Sequence, residues 1–499
     1  MARAAAMLGT LALDRSRAAP LHQQLYRALR DAILAGRLVP GTRLPSTRLL
    51  ARELGTARNT VVTAFEQLVA EGYLEARVGD CTRVAALPPE ALLHARHVRK
   101  PTFSRAALPV LSERGRALAA VRRQAPDARR RAFQTGVPAF EALPVELWAR
   151  LLARRARQSQ RGMLGYAHGG GLPVLREAIV AYVGAARGVT CDPAQVIVVG
   201  GAQAGLDLAA RMLLDPGDPV WIEDPGYLGA RGALIGAGAR LIPVPVDPEG
   251  LDVAAGMRAC PAARLAYVTP SHQFPLGATM PLARRLALLE WAAHAGAWIL
   301  EDDYDSEYRY AGRPVAAMQG IDPAGRVVYV GTFSKTIFPA LRAGYLVVPT
   351  ALVDAFTAAI RHTGHTVPAP VQAALADFVS EGHYAAHIRR TRALYAQRQQ
   401  RLLTALERVL AGVVEARSAE AGMHLSARLL VDVDDRQVSA AAEAAGVTAA
   451  ALSPFHLGPV AQRGFVLGYA GVPEREIDGG VDALARALES VRRVRRASR

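Results

Sequence analysis

The segment Val327-Val-Tyr-Val-Gly-Thr-Phe-Ser-Lys-Thr336 decides the fold of the larger part of the chain. Its first four residues, 327–330, are apolar and mostly β-branched, which predicts a buried strand that ends at the following glycine. Lys335 comes just after that strand. In an open α/β sheet, ligands bind in a crevice at the carboxyl ends of the strands, so we expect the Lys335 amine to project into such a crevice.

Similar β-branched runs recur on both sides of this segment and alternate with amphipathic stretches of helix length. Such alternation predicts an α/β fold, with a mainly parallel sheet covered by helices on both faces. The predicted strands are 196–199, 220–223, 265–268, 298–300, 327–330 and 345–348.

Residues near the ends of these strands match what a pyridoxal phosphate site needs. That cofactor requires an amine to form an imine, an acid beside its pyridine nitrogen and an anion cradle for its phosphate. Lys335 offers the amine, and Asp302, at the end of a strand, offers the acid. Arg342, shortly after the lysine, offers a guanidinium for the phosphate. We therefore expect this cofactor to bind here.

Further candidate ligands for the cofactor lie at neighbouring strand ends. Gly201, Ala202 and Gln203 join a strand to a helix, where backbone N–H groups and the helix N-terminus face an anion. Tyr304 can donate to the phenolic oxygen of the ring, and Tyr227 can stack on it. Each of these residues alone also fits an ordinary structural role, so the order of the whole set is what indicates a cofactor site.

The N-terminal part of the chain, 15–85, shows a different pattern. Apolar residues at helical spacing over 21–35 precede a tight turn and two short amphipathic runs that begin near Arg48 and Arg58. Alternating residues over 73–84 then predict a short hairpin. This order of helices and hairpin is that of a winged helix-turn-helix.

One predicted helix of this module has polar residues opposite its apolar face, as a helix that reads the DNA major groove must. Its predicted apolar face is Val61, Val62, Phe65, Leu68 and Val69. The polar residues, which we expect to contact DNA, are Arg58, Asn59, Thr60 and Thr63. Contacts to DNA phosphates from the start of the preceding helix would fix the position of the protein along the duplex. The candidates for these contacts are Arg43, Ser46 and Arg48.

Charge, cysteine spacing and hydropathy narrow the class of protein. A formal net charge of +16 and a pI of about 10.3 favour a polyanionic partner. Cys81, Cys191 and Cys260 have neither disulfide-framework nor metal-ligand spacing, so we expect a reducing cytoplasm and no metal. No uninterrupted apolar run reaches the roughly 18 residues of a membrane span, so we expect no membrane partner.

The segment 86–131 is predicted to be a basic linker. Its periodicity is weak, prolines recur and arginines accumulate. A solvated tether and an arm that follows the DNA backbone are both consistent with this composition.

The N-terminal motifs resemble those of the GntR family of winged-helix regulators, which implies a domain that binds operator DNA. The matching motifs are Pro40-Gly-Thr-Arg-Leu-Pro-Ser-Thr-Arg48, Asn59-Thr-Val-Val62 and Gly72-Tyr-Leu74. The wing tip departs from the family's Gly-x-Gly-Thr, because the chain has Gly79-Asp-Cys-Thr82 there. Cys81 lacks the backbone freedom of glycine, and Asp80 puts a negative charge close to phosphates.

The rest of the chain resembles the fold-type I aminotransferases, which depend on pyridoxal phosphate. The matching motifs are Gly165-Tyr166, Gly171-Leu-Pro-x-Leu-Arg176, Pro270-Ser-His-Gln-Phe-Pro-Leu-Gly277, Ser334-Lys-Thr336, Pro339 and Arg342-Ala-Gly-Tyr345. The resemblance implies that Lys335 carries the cofactor as an imine, that Asp302 pairs with the ring nitrogen and that Tyr304 binds the phenolic oxygen. Gln273 lies in the segment that supplies a further ligand to that oxygen.

The same resemblance implies which residues hold the phosphate and how subunits assemble. The phosphate ligands would be Arg342, Ala202, Gln203 and Thr332. Tyr166 resembles the tyrosine that reaches the phosphate of the neighbouring subunit, which implies a homodimer with shared sites.

One departure from the aminotransferases bears on activity. These enzymes clamp the substrate carboxylate with an arginine just before a strand near the C-terminus, and Val466 takes that place in Phe465-Val-Leu-Gly-Tyr-Ala470. Arg463 is close in sequence, but its offset on a strand would point it elsewhere. Without a bidentate clamp, we expect little ordinary turnover of amino acids, although a residual half-reaction stays open.

A GntR-like module joined to an aminotransferase-like domain resembles the MocR subfamily of bacterial regulators over nearly the whole chain. The implied organisation is multidomain: an all-α winged helix-turn-helix over 15–85, the linker over 86–131 and an α/β, fold-type I domain over 132–495. Such a protein would be a cytoplasmic, nucleoid-associated homodimer that binds double-stranded operator DNA. Its large domain would sense an amino acid, an amine or pyridoxal phosphate itself. The alternative is a catalytically active aminotransferase.

Overall fold

The computed structural model describes residues 13–16, 18–76, 81–86, 111–121, 131–158, 163, 165, 169–312 and 315–497. The chain divides into two compact units, Met1–Val110 and Leu111–Arg499, which we name the head and the body. Among the described helices, none combines the length and the apolar character needed to cross a membrane.

The head has the winged helix-turn-helix order predicted from the sequence. Its described elements are α1 (Leu21–Leu34), α2 (Thr47–Glu53), α3 (Arg58–Ala70), β1 (Leu74–Glu75) and β2 (Arg83–Val84). The two strands pair antiparallel, with Leu74 opposite Val84. Gly36 and Gly55 follow the first two helices at φ angles of 67° and 60°, in the left-handed region that favours glycine at such ends.

The apolar core of the head differs at two residues from the predicted face of α3, because Val62 is only half-buried and Val69 is exposed. Val61, Phe65 and Leu68 are buried as predicted, together with Ala64. Val69, which was predicted to belong to the same face, is 37% exposed. The reason is the helical turn of about 100° per residue, which rotates the residue after Leu68 away from the core.

The first half of the body contains a large sheet and its covering helices. The elements are α4 (Glu113–Ala120), α5 (Val145–Arg157), α6 (Pro173–Arg187), β3 (Val196–Val199), α7 (Ala202–Leu213), β4 (Pro219–Asp224), α8 (Leu228–Ala237), β5 (Arg240–Asp247), β6 (Gly250–Leu251), α9 (Val253–Ala259), β7 (Leu265–Val268), α10 (Leu282–Ala295), β8 (Trp298–Asp303), β9 (Val327–Thr332) and β10 (Gly344–Val347).

The strands of this sheet run in the order β3-β10-β9-β8-β7-β4-β5-β6. The five central strands from β9 to β5 are parallel, which confirms the predicted α/β class. β10 is antiparallel to both β3 and β9, and β6 is antiparallel to β5. Alternate residues of β3 enter different apolar clusters, Val196 and Val198 in one and Ile197 and Val199 in the other, so the sheet is buried on both faces.

The second half of the body adds a smaller sheet that the sequence analysis did not predict. Its elements are α11 (Val353–Thr363), α12 (Ala369–Ser380), α13 (His383–Leu410), β11 (Val414–Ala416), β12 (His424–Leu429), α14 (Asp435–Ala444), β13 (Ala450–Ala451), β14 (Gly464–Gly468) and α15 (Glu474–Ala497). The strands form an antiparallel sheet in the order β11-β12-β14-β13. α15 packs against both α13 and α14.

Part of the segment predicted to be a linker is helical. α4 begins at the N-cap Ser112, whose hydroxyl accepts a hydrogen bond from the backbone N–H of Gly115 at 3.0 Å. The helix packs on α8, where Leu118 lies against Gly232 and Gly236. These two glycines, four residues apart on one helix face, leave room for the leucine side chain.

Candidate DNA interface and cofactor site

The predicted DNA-reading residues of α3 lie at its N-terminal end. Arg58, Asn59 and Thr63 are exposed, and Thr60 is half-buried. The Thr63 hydroxyl donates to the backbone carbonyl oxygen of Asn59 at 2.9 Å. The start of the helix therefore presents a guanidinium, an amide and a hydroxyl on one exposed surface, which is the arrangement a recognition helix needs.

The residues before and within α2 have mixed roles. Arg43 and Arg48 are exposed, as phosphate contacts require. The exposed Ser46 side chain, predicted to contact DNA, caps α2, because its hydroxyl accepts from the backbone N–H of Leu49 at 3.3 Å. A backbone bridge between Arg43 and Arg83 joins this turn to the hairpin.

The predicted wing tip falls only partly within the part of the chain that the structure describes. Gly79 and Asp80 lie outside the described residues. Cys81 is half-buried and Thr82 accepts a backbone hydrogen bond from Leu44 at 2.9 Å, so the second side of the wing is held to the turn before α2.

In the body, Asp302 lies near the carboxyl end of β8 and is 4% exposed. Its Oδ2 accepts a hydrogen bond from the Tyr267 hydroxyl at 2.8 Å. Its Oδ1 is also buried and has no hydrogen-bond partner in the described structure. Burial raises the pKa of Asp302 to about 7, although the Tyr267 hydroxyl acts to lower it. The site thus contains a buried acid with one oxygen left to pair.

Lys335 lies in the turn after β9 and is half-buried. Its Nζ donates to the backbone carbonyl oxygen of Gly136 at 3.2 Å. Asp302 and Lys335 come near the carboxyl ends of the neighbouring parallel strands β8 and β9, and the lysine charge acts to lower the pKa of that carboxyl. Lys335 and Lys100 are the two lysines in the whole chain.

The predicted phosphate cradle lies at the N-terminus of α7. Gly201 precedes the helix at a φ of 92°, where L side chains are strained. A Cβ atom at Gly201 would lie 3.8 Å from the Ser334 Oγ and 3.9 Å from the Arg342 Cα, so three separate segments converge at this helix end. Free backbone N–H groups at a helix N-terminus attract an anion.

The other predicted phosphate ligands border this cradle. Gln203 donates from Nε2 to the carbonyl oxygen of Gly229 at 2.9 Å, while its buried Oε1 has no partner among the described residues. Arg342 is exposed and holds a φ of 48°, which is unusual for a residue with a side chain. The Thr332 hydroxyl accepts from the backbone N–H of Ser334 at 3.2 Å, so it stabilises the turn that carries the lysine.

Aromatic side chains form a wall around the pocket. The rings of Tyr227 and Tyr304 both pack edge-on against Phe274, with centroids 5.7 and 6.1 Å away. The Tyr304 hydroxyl, predicted to bind the cofactor ring, donates to the carbonyl oxygen of His272 at 2.9 Å. Burial raises the pKa of Tyr304 well above its ordinary value, so the hydroxyl stays protonated.

Gln273 has a different role from the one predicted. Its side-chain Nε2 donates to the carbonyl oxygens of Phe274 at 2.7 Å and Pro225 at 3.0 Å, and its Oε1 accepts from the backbone N–H of Leu276 at 3.0 Å. The amide is therefore used to hold two loops together and is not directed at a cofactor. Tyr166, predicted to reach the neighbouring subunit, lies outside the described residues.

The structure also places the residue that stands where aminotransferases carry their carboxylate clamp. Val466 is fully buried in an apolar cluster with Leu452 and Phe455, against which Phe274 of the aromatic wall packs. Arg463 points away from this cluster, as predicted, and pairs with Asp432 at 3.6 Å on the surface.

Sequence reasoning missed a buried group beside the pocket, formed by His272, Asp305 and His424. His272 Nδ1 lies 3.1 Å from the Asp305 carboxylate and 3.0 Å from the Tyr304 hydroxyl, and Asp305 accepts from the backbone N–H of Met423 at 3.1 Å. One nitrogen or oxygen from each of the three side chains lies within 4.8 Å of the others. His272 was present in a quoted motif, but His424 begins a strand of the smaller sheet, which the alternation did not reveal.

Comparisons with known proteins agree with this architecture. Residues 132–484 match the family model of aminotransferases of class I and II, and residues 21–84 match that of the gntR family of bacterial regulatory proteins. A probable rhizopine catabolism regulatory protein, MocR of Rhizobium meliloti, is 48% identical over 480 residues, which is 96% of this chain and 96% of that protein. The pyridoxine biosynthesis regulator PdxR of Corynebacterium glutamicum is 32% identical over 93% of this chain and 95% of its own length.

The body is also similar to solved enzymes. The kynurenine aminotransferase of Pyrococcus horikoshii superposes with a TM-score of 0.68 and 28% identity, covering 78% of this chain and 97% of that enzyme. The α-aminoadipate aminotransferase LysN of Thermus thermophilus gives the same TM-score with 26% identity, covering 77% of this chain and 96% of that enzyme.

Proposed function

The chain belongs to the MocR subfamily of gntR-family transcriptional regulators, with an aminotransferase class I and II domain, and on that premise we propose that its body holds pyridoxal phosphate on Lys335 to control DNA binding by its head. The observation that carries this proposal is the half-paired buried acid Asp302 on β8, next to the strand β9 that leads to Lys335. A buried carboxyl oxygen without a partner is costly unless a ligand supplies a donor.

The residues present fit pyridoxal phosphate at its ring nitrogen, its ring face and its phosphate. Asp302 Oδ1 would pair with the ring nitrogen and keep it protonated, and Tyr227 would pack on the ring. The phosphate would lie at the N-terminus of α7, held by Gly201, Ala202, Gln203, Thr332 and Arg342. When bound, the cofactor supplies an aldehyde that condenses with primary amines, which makes the pocket selective for them.

The surroundings of Val466 favour sensing over turnover. A clamped carboxylate is what orients an amino acid for repeated reaction, and Val466 contributes only apolar surface. We therefore propose that an amine, an amino acid or the cofactor itself acts as the effector. An effector changes DNA binding only if it binds two conformations of the protein unequally.

The proposed form of the regulator is a homodimer that acts on the bacterial chromosome. Two copies of α3, each with Arg58 and Asn59 exposed, would read the two half-sites of one operator in the major groove. The net charge of +16 supports binding to a polyanion.

The scarcity of lysine allows a direct test of cofactor attachment. The full chain is incubated with pyridoxal phosphate, reduced with borohydride and digested, and the peptides are weighed by mass spectrometry. We expect one pyridoxyl group on the peptide that contains Lys335, in the wild type and in the matched control Lys100→Ala. Lys335→Ala should lose it. A label that persists in Lys335→Ala at the wild-type level would contradict the proposal.

A second measurement separates the regulator from an aminotransferase. A regulator binds DNA with Arg58 and turns over amino-acid donors weakly, whereas an aminotransferase keeps full turnover after residues 1–85 are removed. Strong turnover of amino-acid donors by the full chain, together with no binding to any DNA duplex tested, would favour the aminotransferase alternative.

A further inference from the structure

The turn that carries Lys335 is buried on both sides of the lysine. Phe333 is 2% exposed and Thr336 is 0% exposed, whereas Lys335 between them is half-buried. The backbone N–H of Phe333 donates to the carbonyl oxygen of Ala343 at 3.0 Å, and the backbone N–H of Ile337 donates to that of Phe333 at 2.8 Å. The start of the turn is thus fixed by backbone bonds, and the direction of the lysine side chain depends on what holds Thr336.

The first two turns of α13 hold Thr336 at two points. The Tyr384 hydroxyl donates to the Thr336 Oγ1 at 3.0 Å. The Nε2 atom of His387 lies 2.9 Å from the carbonyl oxygen of Thr336, and a carbonyl oxygen only accepts, so this nitrogen is the donor. Tyr384 and His387 are three residues apart and therefore share one face of the helix. Together they fix both the side chain and the backbone of Thr336.

The Thr336 hydroxyl passes this contact on to the beginning of the turn. It accepts from Tyr384 and donates to the carbonyl oxygen of Phe333 at 3.4 Å. A hydroxyl has one proton and two lone pairs, so it can do both at once. A chain of two hydroxyls therefore closes over the residues that flank Lys335.

A buried acid also lies close to the first hydroxyl of this chain. The Tyr384 hydroxyl is 3.3 Å from the Glu307 Oε1, which accepts from the Tyr182 hydroxyl at 3.0 Å. Tyr384 has a single proton to donate, and its contact with Thr336 is the shorter of the two. We therefore assign that proton to the bond with Thr336.

The position of the turn matters because the lysine side chain is a long and flexible stem. Its Nζ reaches the carbonyl oxygen of Gly136, and its path starts from the backbone that the Thr336 bonds hold in place. A displacement of about 1 Å in a reacting group can cost about a hundred-fold in rate. Residues that hold the turn can therefore act on the attachment of a cofactor without contacting the cofactor.

We propose that Thr336, Tyr384 and His387 are positioning residues for the attachment of pyridoxal phosphate to Lys335. Their bonds fix the backbone of the turn, so that the lysine amine meets the cofactor in one orientation. This inference rests on the proposed attachment to Lys335, and it adds the first two turns of α13 to the residues that control the attachment.

Two variants at one position test the role of the hydroxyl in the full chain. Thr336→Val has nearly the same shape but no hydroxyl, and Thr336→Ser keeps the hydroxyl and is the matched control. Each protein is titrated with pyridoxal phosphate while absorbance and visible circular dichroism are followed, since an achiral cofactor gains circular dichroism only from its surroundings. We expect Thr336→Val to raise the half-saturating concentration about ten-fold and to change the circular dichroism band, and Thr336→Ser to stay within about two-fold of the wild type.

A double-mutant cycle tests whether the two hydroxyls act through one bond. Tyr384→Phe removes the donor, so it should also raise the half-saturating concentration about ten-fold. The double variant with Thr336→Val should show about the same ten-fold effect, because the bond is already lost in each single variant. The comparison of Thr336→Val with Thr336→Ser stands by itself if Tyr384→Phe does not fold.

The outcomes separate this inference from the proposed function. A wild-type chain that forms no cofactor absorbance band would refute the attachment to Lys335, and the positioning role with it. A normal wild-type band, with Thr336→Val equal to the wild type in affinity and circular dichroism, would overturn the positioning role alone. Equal losses in Thr336→Ser and Thr336→Val, or an effect of about a hundred-fold in the double variant, would also overturn it, because the losses would then come from packing and not from the hydroxyl bond.

Discussion

The head and the body place their functional residues in opposite surroundings. Arg58 and Asn59 of the head are exposed, and the Ser46 cap bonds a backbone group only three residues away. In the body, Asp302 is buried against Tyr267, and Lys335 contacts Gly136, which is 199 residues distant. The candidate DNA-reading surface is thus specified by local helix signals, whereas the candidate cofactor site forms only once the sheet has assembled.

This difference predicts that removing a buried charge from the body lowers the free energy of unfolding far more than removing an exposed charge does. Arg187 and Asp303 form a buried ion pair at 2.6 Å, with 7% and 1% of their side chains exposed. Arg187→Ala leaves the Asp303 charge uncompensated, so we expect the body to lose about 3–5 kcal/mol of unfolding free energy. Denaturant unfolding of the full chain, followed in the body transition, measures this loss.

The control for that experiment is Arg463→Ala, which breaks the exposed pair with Asp432. Its expected cost is about 1 kcal/mol or less, because solvent screens surface charges. An equal loss of unfolding free energy in Arg187→Ala and Arg463→Ala would show that burial does not make one ion pair more important for stability than the other.

In the head, the expected effect of a lost charge is on DNA binding and not on stability. Arg58→Ala should weaken operator binding and reduce the slope of log affinity against log salt by about 0.9, the share of one phosphate contact. Arg27→Ala, exposed on α1, is the charge-matched control and should leave the slope unchanged. Fluorescence anisotropy at several salt concentrations measures both. The same decrease in the control would assign the effect to net charge instead of to α3.

The buried acid of the body should make its stability depend on pH. Burial raises the pKa of Asp302 to about 7 in the cofactor-free protein, above the value of about 4 in an unfolded chain. The folded state therefore binds a proton more tightly, and the free energy of unfolding falls as pH rises through this range. Between pH 6 and pH 8 this group should lower the free energy of unfolding by about 1 kcal/mol.

Asp302→Asn provides the matched comparison, because the amide does not titrate. Thermal unfolding of the body at the two pH values should show a smaller decrease in the variant than in the wild type. An identical decrease in both proteins would assign the pH dependence to other buried acids, such as Glu223, whose pKa burial also raises to about 7.

The smallest expected effect concerns the cap of α2. Ser46→Ala should cost the head about 1 kcal/mol, because the N–H of Leu49 loses its acceptor. Ser46→Asp keeps an acceptor but adds a negative charge near the DNA surface. A capping role therefore predicts stable folding for the aspartate variant, measured by thermal unfolding, whereas low stability in both variants would reject it.

Much of the fold was predictable because its signals are local. The strand 327–330 and the helix that starts near Arg58 follow directly from apolar runs and their spacing. The smaller sheet was not predicted, since β12 mixes buried and exposed residues and β11 and β13 are only three and two residues long. The antiparallel direction of β10 is set by its neighbours in the sheet, which no single segment reveals.

The site was predictable to the extent that its residues follow strands. Asp302 and Lys335 were found because each stands near a strand end, in an order that suits one cofactor. The role of Gln273 could not be read from its position, since its partners Pro225 and Leu276 meet it only in the folded loop. His424 was missed for the same reason, because its closeness to His272 depends on how two sheets pack.

The central claim is that a cofactor on Lys335 changes how the head binds DNA. Footprinting of the full chain on the region upstream of its own gene, with and without pyridoxal phosphate, tests this claim in the wild type and in Lys335→Ala. We expect the cofactor to change the protected region or the affinity in the wild type and to have no effect in the variant. Protection that is the same with and without cofactor in the wild type, or a response that survives in Lys335→Ala, would contradict the account.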